Sequence, residues 1–221
     1  MQKNHRYRIS SLTTVVIVLI LTILFESRIS FTMMFGALDF QQHSFIQTAW
    51  LALRLGSVLA VILYWRLNNK KNLFRSIIFA TGLLTLGLVG STVRLIGVLG
   101  RHTLVNALAL LGDVVLLAIV NVLTFSIWYW LIDPPGIDES QPTSAPWEFL
   151  FPQRADSIPG YEAWIPRYTD YLALAFTTSV AFSPTDALPL TRRAKALMIF
   201  QAAISIISIT VIAGSAINIL G

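Results

Sequence analysis

A chain of 221 residues that is 55% hydrophobic, only 12% charged and +0.70 in mean hydropathy departs from soluble domains, which carry about 25% charged residues. An all-α integral membrane protein is expected. The absence of cysteine excludes disulfides and thiolate metal centres, and His5, His43 and His102 are too far apart in the chain to form a ligand-spaced cluster, so neither a metal nor a cofactor is expected. The net charge of +5 comes partly from cations beside apolar segments, which points to anionic lipid headgroups rather than nucleic acid.

About 20 apolar residues are needed to cross the hydrocarbon core as a helix, and four such candidates come first. Residues 11–25 follow Lys3, Arg6 and Arg8; the succeeding FESRIS has no small-residue cleavage pattern, so this segment is read as a retained anchor and not a signal peptide. Residues 45–65, 73–99 and 105–132 follow, the last ending in Trp128, Tyr129 and Trp130, which suit an interfacial aromatic belt. From Asp133 prolines and acids interrupt every periodicity, which marks an extramembrane loop. Within it WEFLF and YEAWI suit short interfacial pieces; an irregular polar linker is the competing reading. Residues 169–183 are apolar but short, and residues 190–220 form a final span.

Charge bears on the short segment. With the N-terminus in the cytoplasm, Arg66, Lys70, Lys71 and Arg75 fall inside after two crossings and the 133–167 loop falls inside after four. If residues 169–183 re-enter, Arg192, Arg193 and Lys195 also fall inside; if they span, these cations fall outside. Re-entry, giving five spans, follows the positive-inside tendency, with six as the alternative. The chain thus divides into a four-helix region (1–132), an extramembrane loop (133–168) and a short pore-like helix, turn and last span (169–221).

Arg54, Arg94 and Asp113 lie inside spans, where each charge costs on the order of 2.5 to 3.5 kcal/mol. Arg94 and Asp113 fall at similar depth on consecutive helices and are expected to pair, fixing helix packing or serving as a charge relay. Arg54, with no second acid read in the spans, is left to Asp113, a carbonyl or water. Gly82, Gly87 and Gly90 allow close helix approach. Gln201, Ser205, Ser208 and Ser215 share one face of the last helix and either bond to neighbouring helices or line water; Asn106 and Asn121 each need a partner. No phosphate-cradling loop, zinc-protease helix or hydrolase elbow is present, so no enzyme is expected.

Thr177, Thr178, Val180, Ala181, Phe182 and Ser183, then Asp186, Pro189 and Thr191, follow the order of a potassium-channel pore loop, Thr-Thr-Val-Gly-Tyr-Gly-Asp with Pro and Thr beyond. The candidate pore-like loop is therefore Thr177, Thr178, Ser179, Val180, Ala181, Phe182, Ser183 and Asp186. Ala181 and Ser183 replace both filter glycines, whose backbone freedom other residues lack, which argues against a potassium-selective filter. More extensively, WEFLFP, DYLALAFTTSVAF, SPTD, RRAK and TVIAGSAINIL make residues 125–221 resemble a family of bacterial inner-membrane proteins that is itself similar to pore-loop channels. The resemblance implies architecture and brings no settled activity. The charge-derived topology has the loop entering from the cytoplasm, whereas ordinary pore loops enter from outside.

Local chemistry accounts for the same stretch without conduction. Pro184 and Asp186 force and cap a turn, Pro189 and Thr191 start the final helix, and Arg192, Arg193 and Lys195 anchor it to lipid phosphates. The expectation is a multi-pass inner-membrane protein with a cytoplasmic N-terminus and five or six helices, channel-like or transporter-like with a degenerate pore loop. The alternative is a non-conducting scaffold or accessory subunit. Partners are membrane lipids, with a homo-oligomer or larger membrane complex left open.

Overall fold

The computed structural model describes residues 3–29, 40–99, 107–134, 136, 146–155, 158–161, 164–182 and 187–220. The element order is α1 (Lys3–Arg28), α2 (Phe40–Arg66), α3 (Lys70–Leu99), α4 (Ala107–Ile132), β1 (Phe149–Leu150), α5 (Pro152–Ala155), α6 (Tyr168–Ala181), β2 (Leu188–Pro189) and α7 (Arg192–Leu220). The fold is all-α apart from one two-residue ladder. Among the described residues, five helices carry stretches long and apolar enough to cross a bilayer: Ser11–Arg28, Gln47–Arg66, Lys70–Gly97, Leu111–Ile132 and Arg192–Val211. With 14 residues, α6 is about 21 Å long at a 1.5 Å rise, well short of the roughly 30 Å hydrocarbon core.

The chain forms two units. One comprises residues 19–120 and 206–221, and its clearest local structure is the α2–α3 hairpin. Asparagines make the turn between those helices: Asn68 takes the left-handed conformation that closes α2, with φ +52°, and Asn69 Oδ1 caps α3 by accepting from Asn72 N at 3.2 Å. Along α3 the hydroxyls of Thr81, Thr85 and Thr92 each bond the carbonyl four residues back, at 2.8 to 2.9 Å, so polar residues sit in an apolar helix with their hydrogen bonds met.

The other unit comprises residues 1–18 and 121–205 and has an aromatic core. Phe125 meets Phe200 edge-on at 5.8 Å, Tyr129 meets Phe149 at 5.1 Å, and Phe151 meets Tyr171 at 5.7 Å, the offset geometries that aromatic quadrupoles favour. Here the polar loop departs from the irregular-linker reading. WEFLF forms ordered structure: β1 pairs antiparallel with β2, Phe149 opposite Pro189 and Leu150 opposite Leu188, and Glu148, Phe149 and Phe151 are buried. The physical reason is that β1 brings its apolar side chains onto α4 and α6, while its backbone finds partners just before α7. Within YEAWI, Tyr161 and Ile165 are exposed, and Trp164 stacks on Phe151 at 5.5 Å.

Candidate functional site

The site around α6 is built from its ends inward. At its N-terminus Asp170 accepts from Arg167 N at 2.6 Å, placing a carboxylate in the first turn where the helix dipole favours it. Its buried face is Tyr168, Tyr171, Leu174, Ala175, Thr178 and Ser179, a helical repeat of three and four. Its C-terminus is Phe182, left-handed at φ +56°.

Asp133 holds this helix and the loop to α4. Fully buried, its Oδ1 accepts from Glu148 N at 2.9 Å and Phe149 N at 3.2 Å, and its Oδ2 from Arg154 Nη1 at 2.8 Å and the Tyr171 hydroxyl at 2.6 Å. Four donors, one of them a guanidinium, offset the desolvation of the carboxylate. Glu148, also buried, accepts from the Thr191 hydroxyl and pairs with Arg193 at 3.1 Å, while Thr191 Oγ1 caps α7 by accepting from Ala194 N at 3.2 Å. Arg193 thus has a protein partner while its side chain stays 81% exposed. Burial pushes the Tyr168 phenol above its ordinary value. Burial likewise pushes Tyr171 up, reinforced by the Asp133 charge beside it.

Deeper along the helices α4, α6 and α7 are joined by side chains. Ser179 and Ser205 lie 2.7 Å apart, and Asn121 Nδ2 donates to Ser205 Oγ at 2.8 Å. Gln201 Nε2 donates to Ala175 O at 2.8 Å and its Oε1 accepts from the Tyr129 hydroxyl. The pairs 175–201 and 179–205 advance together, so α6 and α7 run parallel side by side. The start of α7 therefore lies beside the start of α6.

Three oxygens in this cluster have no partner: Asn121 Oδ1, Thr124 Oγ1 and Thr178 Oγ1, on residues at most 1% exposed. The Thr178 hydroxyl lies within reach of the Tyr129 phenol but in a geometry too poor to count as a hydrogen bond. Thr177, one residue earlier, instead bonds Leu174 O at 3.1 Å.

Of the predicted pore-like residues, Thr177, Thr178, Ser179, Val180 and Ala181 are helical. Their carbonyls point along a helix and not into an extended filter. Val180 and Phe182 are exposed, and Ser183 and Asp186 lie outside the described residues. On α7, Gln201, Ser205 and Ser208 are buried; the side chain of Ser215 lies outside the described residues, as does Asn106.

A second cluster lies on α1, α2 and α3. Arg54, 3% exposed, pairs with Glu26 Oε1 at 2.7 Å, and Glu26 is fully buried. This corrects the expectation that the spans hold no second acid for Arg54. The helix of the first span continues past Phe25 through Arg28, and a buried guanidinium makes it tolerable to carry a carboxylate there. Trp50 lies against the Arg54 guanidinium at 4.8 Å. Gly87 provides the space: a Cβ there would lie 1.9 Å from both Arg54 Nη2 and Glu26 Oε1, whereas Gly82 and Gly90 have nothing within 4 Å. Arg94 Nη2 donates to Ser91 Oγ at 2.7 Å, and the charges of Glu26 and Arg54 both act on it. Asp113 is half-buried on α4 and has interactions of its own.

Sequence reasoning missed Glu26, Asp133, Glu148, Arg154 and Tyr171. Each sits at the edge of a hydrophobic run or in the polar loop, where an ionisable residue looks solvated. No protein-family model matches the chain, and neither a curated protein nor a solved structure does.

Proposed function

We propose that this chain is a multi-pass inner-membrane protein of the channel-like or transporter-like class, rather than an enzyme, with five spans, a cytoplasmic N-terminus and α6 as a re-entrant helix. The likeness of residues 125–221 to pore-loop-related inner-membrane proteins belongs to this reading. So do anionic headgroups at Arg192, Arg193 and Lys195, and assembly into a homo-oligomer or larger membrane complex. Re-entry is supported by the shortness of α6 and by its parallel register with α7.

The observation that carries the transport reading is the set of three unpartnered, buried oxygens on Asn121, Thr124 and Thr178. An unmet buried polar group costs about 1 to 3 kcal/mol, and more in hydrocarbon. Five other threonines in these helices, Thr81, Thr85, Thr92, Thr177 and Thr210, bond a carbonyl three or four residues back. A core kept for packing alone gains nothing by leaving Thr124 and Thr178 unbonded. Unpartnered neutral oxygens of this kind suit water or a weakly held monovalent cation. Weak selectivity follows from Ala181 and Ser183 standing where a filter has glycines, and from helical carbonyls pointing along one axis instead of ringing an ion.

The second reading, a non-conducting scaffold or accessory subunit, is favoured by the direct bonds among Ser179, Ser205 and Asn121, which join three helices without water between them. Proteoliposomes loaded with potassium or sodium separate the two. The transport reading expects cation flux with little preference between the ions, lowered by Thr178→Val and Asp186→Asn. Thr178→Val removes at most a weak contact with the Tyr129 phenol and should change thermal stability in detergent little. Absence of flux under every gradient, voltage and pH would leave the scaffold.

A further inference from the structure

Between α2 and α3 lies an open groove of about 500 Å³. Its floor is made of small residues on one face of α2, Ala52, Gly56 and Ala60, and a Cβ built on Gly56 meets nothing within 4 Å. Tyr64, Asn72 and Arg75 stand at one end of it. From Ala52 to Tyr64 the groove follows α2 for about 18 Å at 1.5 Å per residue; it is mostly apolar, with the Ser57 and Ser76 hydroxyls turned back to Arg54 O and Asn72 O, and polar at one mouth.

Arg75 lines the mouth, and the sequence around it is cationic. Residues 66–75, RLNNKKNLFR, contain Arg66, Lys70, Lys71 and Arg75 and no acid. Arg75 is exposed, and its guanidinium takes part in none of the ion pairs or hydrogen bonds among the described residues. Arg54 and Arg154, by contrast, are held by carboxylates. A second copy of the chain is a poor occupant: a two-fold contact through this face places the same patch opposite itself, cations against cations. An amphiphile with an anionic head and a flexible apolar tail complements both ends.

We propose that the α2–α3 groove binds an anionic phospholipid, with one acyl chain over Ala52, Gly56 and Ala60 and the headgroup phosphate on Arg75. The site differs from the cations at the start of α7, and it rests on the membrane-embedded part of the reading above, not on transport. A cation near an anionic membrane surface contributes roughly 1 kcal/mol, about a fivefold change in affinity, and the groove makes one such contact specific.

The test uses the full chain purified in detergent, titrated with dioleoyl-phosphatidylglycerol, dioleoyl-phosphatidylcholine or inorganic phosphate and read by native mass spectrometry and thermal shift. One phosphatidylglycerol per chain is expected to resist removal, with phosphatidylcholine bound at least fivefold more weakly and millimolar phosphate failing to displace the lipid. Arg75→Gln should weaken binding about fivefold while Arg66→Gln has less effect. Gly56→Leu, or Ala60→Leu if the first does not fold, should abolish the retained lipid by filling the floor. Equal losses from Arg66→Gln and Arg75→Gln would reduce the site to diffuse surface charge. Unchanged binding in the filled-groove variants, displacement by phosphate alone, or a chain dimer blocked by Gly56→Leu would overturn it. Recovery of the chain in the soluble fraction without detergent would instead defeat the membrane reading itself.

Discussion

At Glu26 a carboxylate with no exposed surface meets Arg54 at 2.7 Å, and Gly87 supplies the room. Removing one partner of a buried pair leaves an uncompensated charge and typically costs 3 to 5 kcal/mol, whereas replacing both by apolar residues of similar volume is often neutral. Gly87→Ala acts on the same pair from the side. Its methyl would occupy the position of both charged tips, and overpacking of this kind costs about 1 to 3 kcal/mol. Gly82→Ala and Gly90→Ala, with open space at the Cβ, should be neutral or stabilising by up to about 1 kcal/mol, since alanine is the better helix former. Thermal unfolding in detergent checks the contrast: Gly87→Ala should melt well below the other two. Three equal melting temperatures would mean that the pair moves aside freely.

At the scale of the element, α6 depends on what its tyrosines touch. Tyr171→Phe keeps the ring edge-on to Phe151 but removes the hydroxyl that donates to Asp133, a bond to a charged acceptor worth about 1.5 to 3 kcal/mol. The same tyrosines set an alkaline limit. Because burial holds Tyr168 and Tyr171 above the ordinary value of 10 in the folded chain, the unfolded chain loses phenolic protons first as pH rises. Stability from these groups is whole below about pH 10 and falls above it, by up to about 1.4 kcal/mol per pH unit for each tyrosine. Chemical unfolding in detergent at pH 8, 10 and 11 should show that fall, shallower in Tyr171→Phe. Phenolate absorbance from these residues appearing before the unfolding transition would contradict it.

For the whole molecule the open choice is between five spans and six, and the cysteine-free chain allows a direct test. Gly160→Cys marks the loop before α6 and Gly221→Cys the end of the chain. With α6 re-entrant and the N-terminus in the cytoplasm, an impermeant thiol reagent applied to intact cells should label Cys at 221 and spare Cys at 160. Labelling of neither position means that α6 crosses. The Glu148 contacts favour the first outcome. Glu148 N is held by Asp133 at the end of α4, while its carboxylate holds Thr191 and Arg193 at the start of α7. The end of the fourth long helix and the start of the last therefore meet through one residue.

Hydrophobic run length alone determined the five long helices and their approximate ends, because about 20 consecutive apolar residues leave a backbone few options other than a helix that meets its own hydrogen bonds. The spacing of Gln201, Ser205 and Ser208 likewise marked one face of α7, a consequence of 3.6 residues per turn. Tertiary structure decided what run length cannot encode. A run's edge says nothing of whether the next acid is solvated, so Glu26 read as a flanking residue until Arg54 and Gly87 enclosed it. The ladder between β1 and β2 joins residues about 40 apart in the chain, a pairing that local propensity does not carry. Residues 169–183 read as a short pore-like helix, and it is the register of α6 on α7 that set which of its residues are buried: Ala175 O meets Gln201 and Ser179 meets Ser205, a pairing across 26 residues that local sequence does not carry.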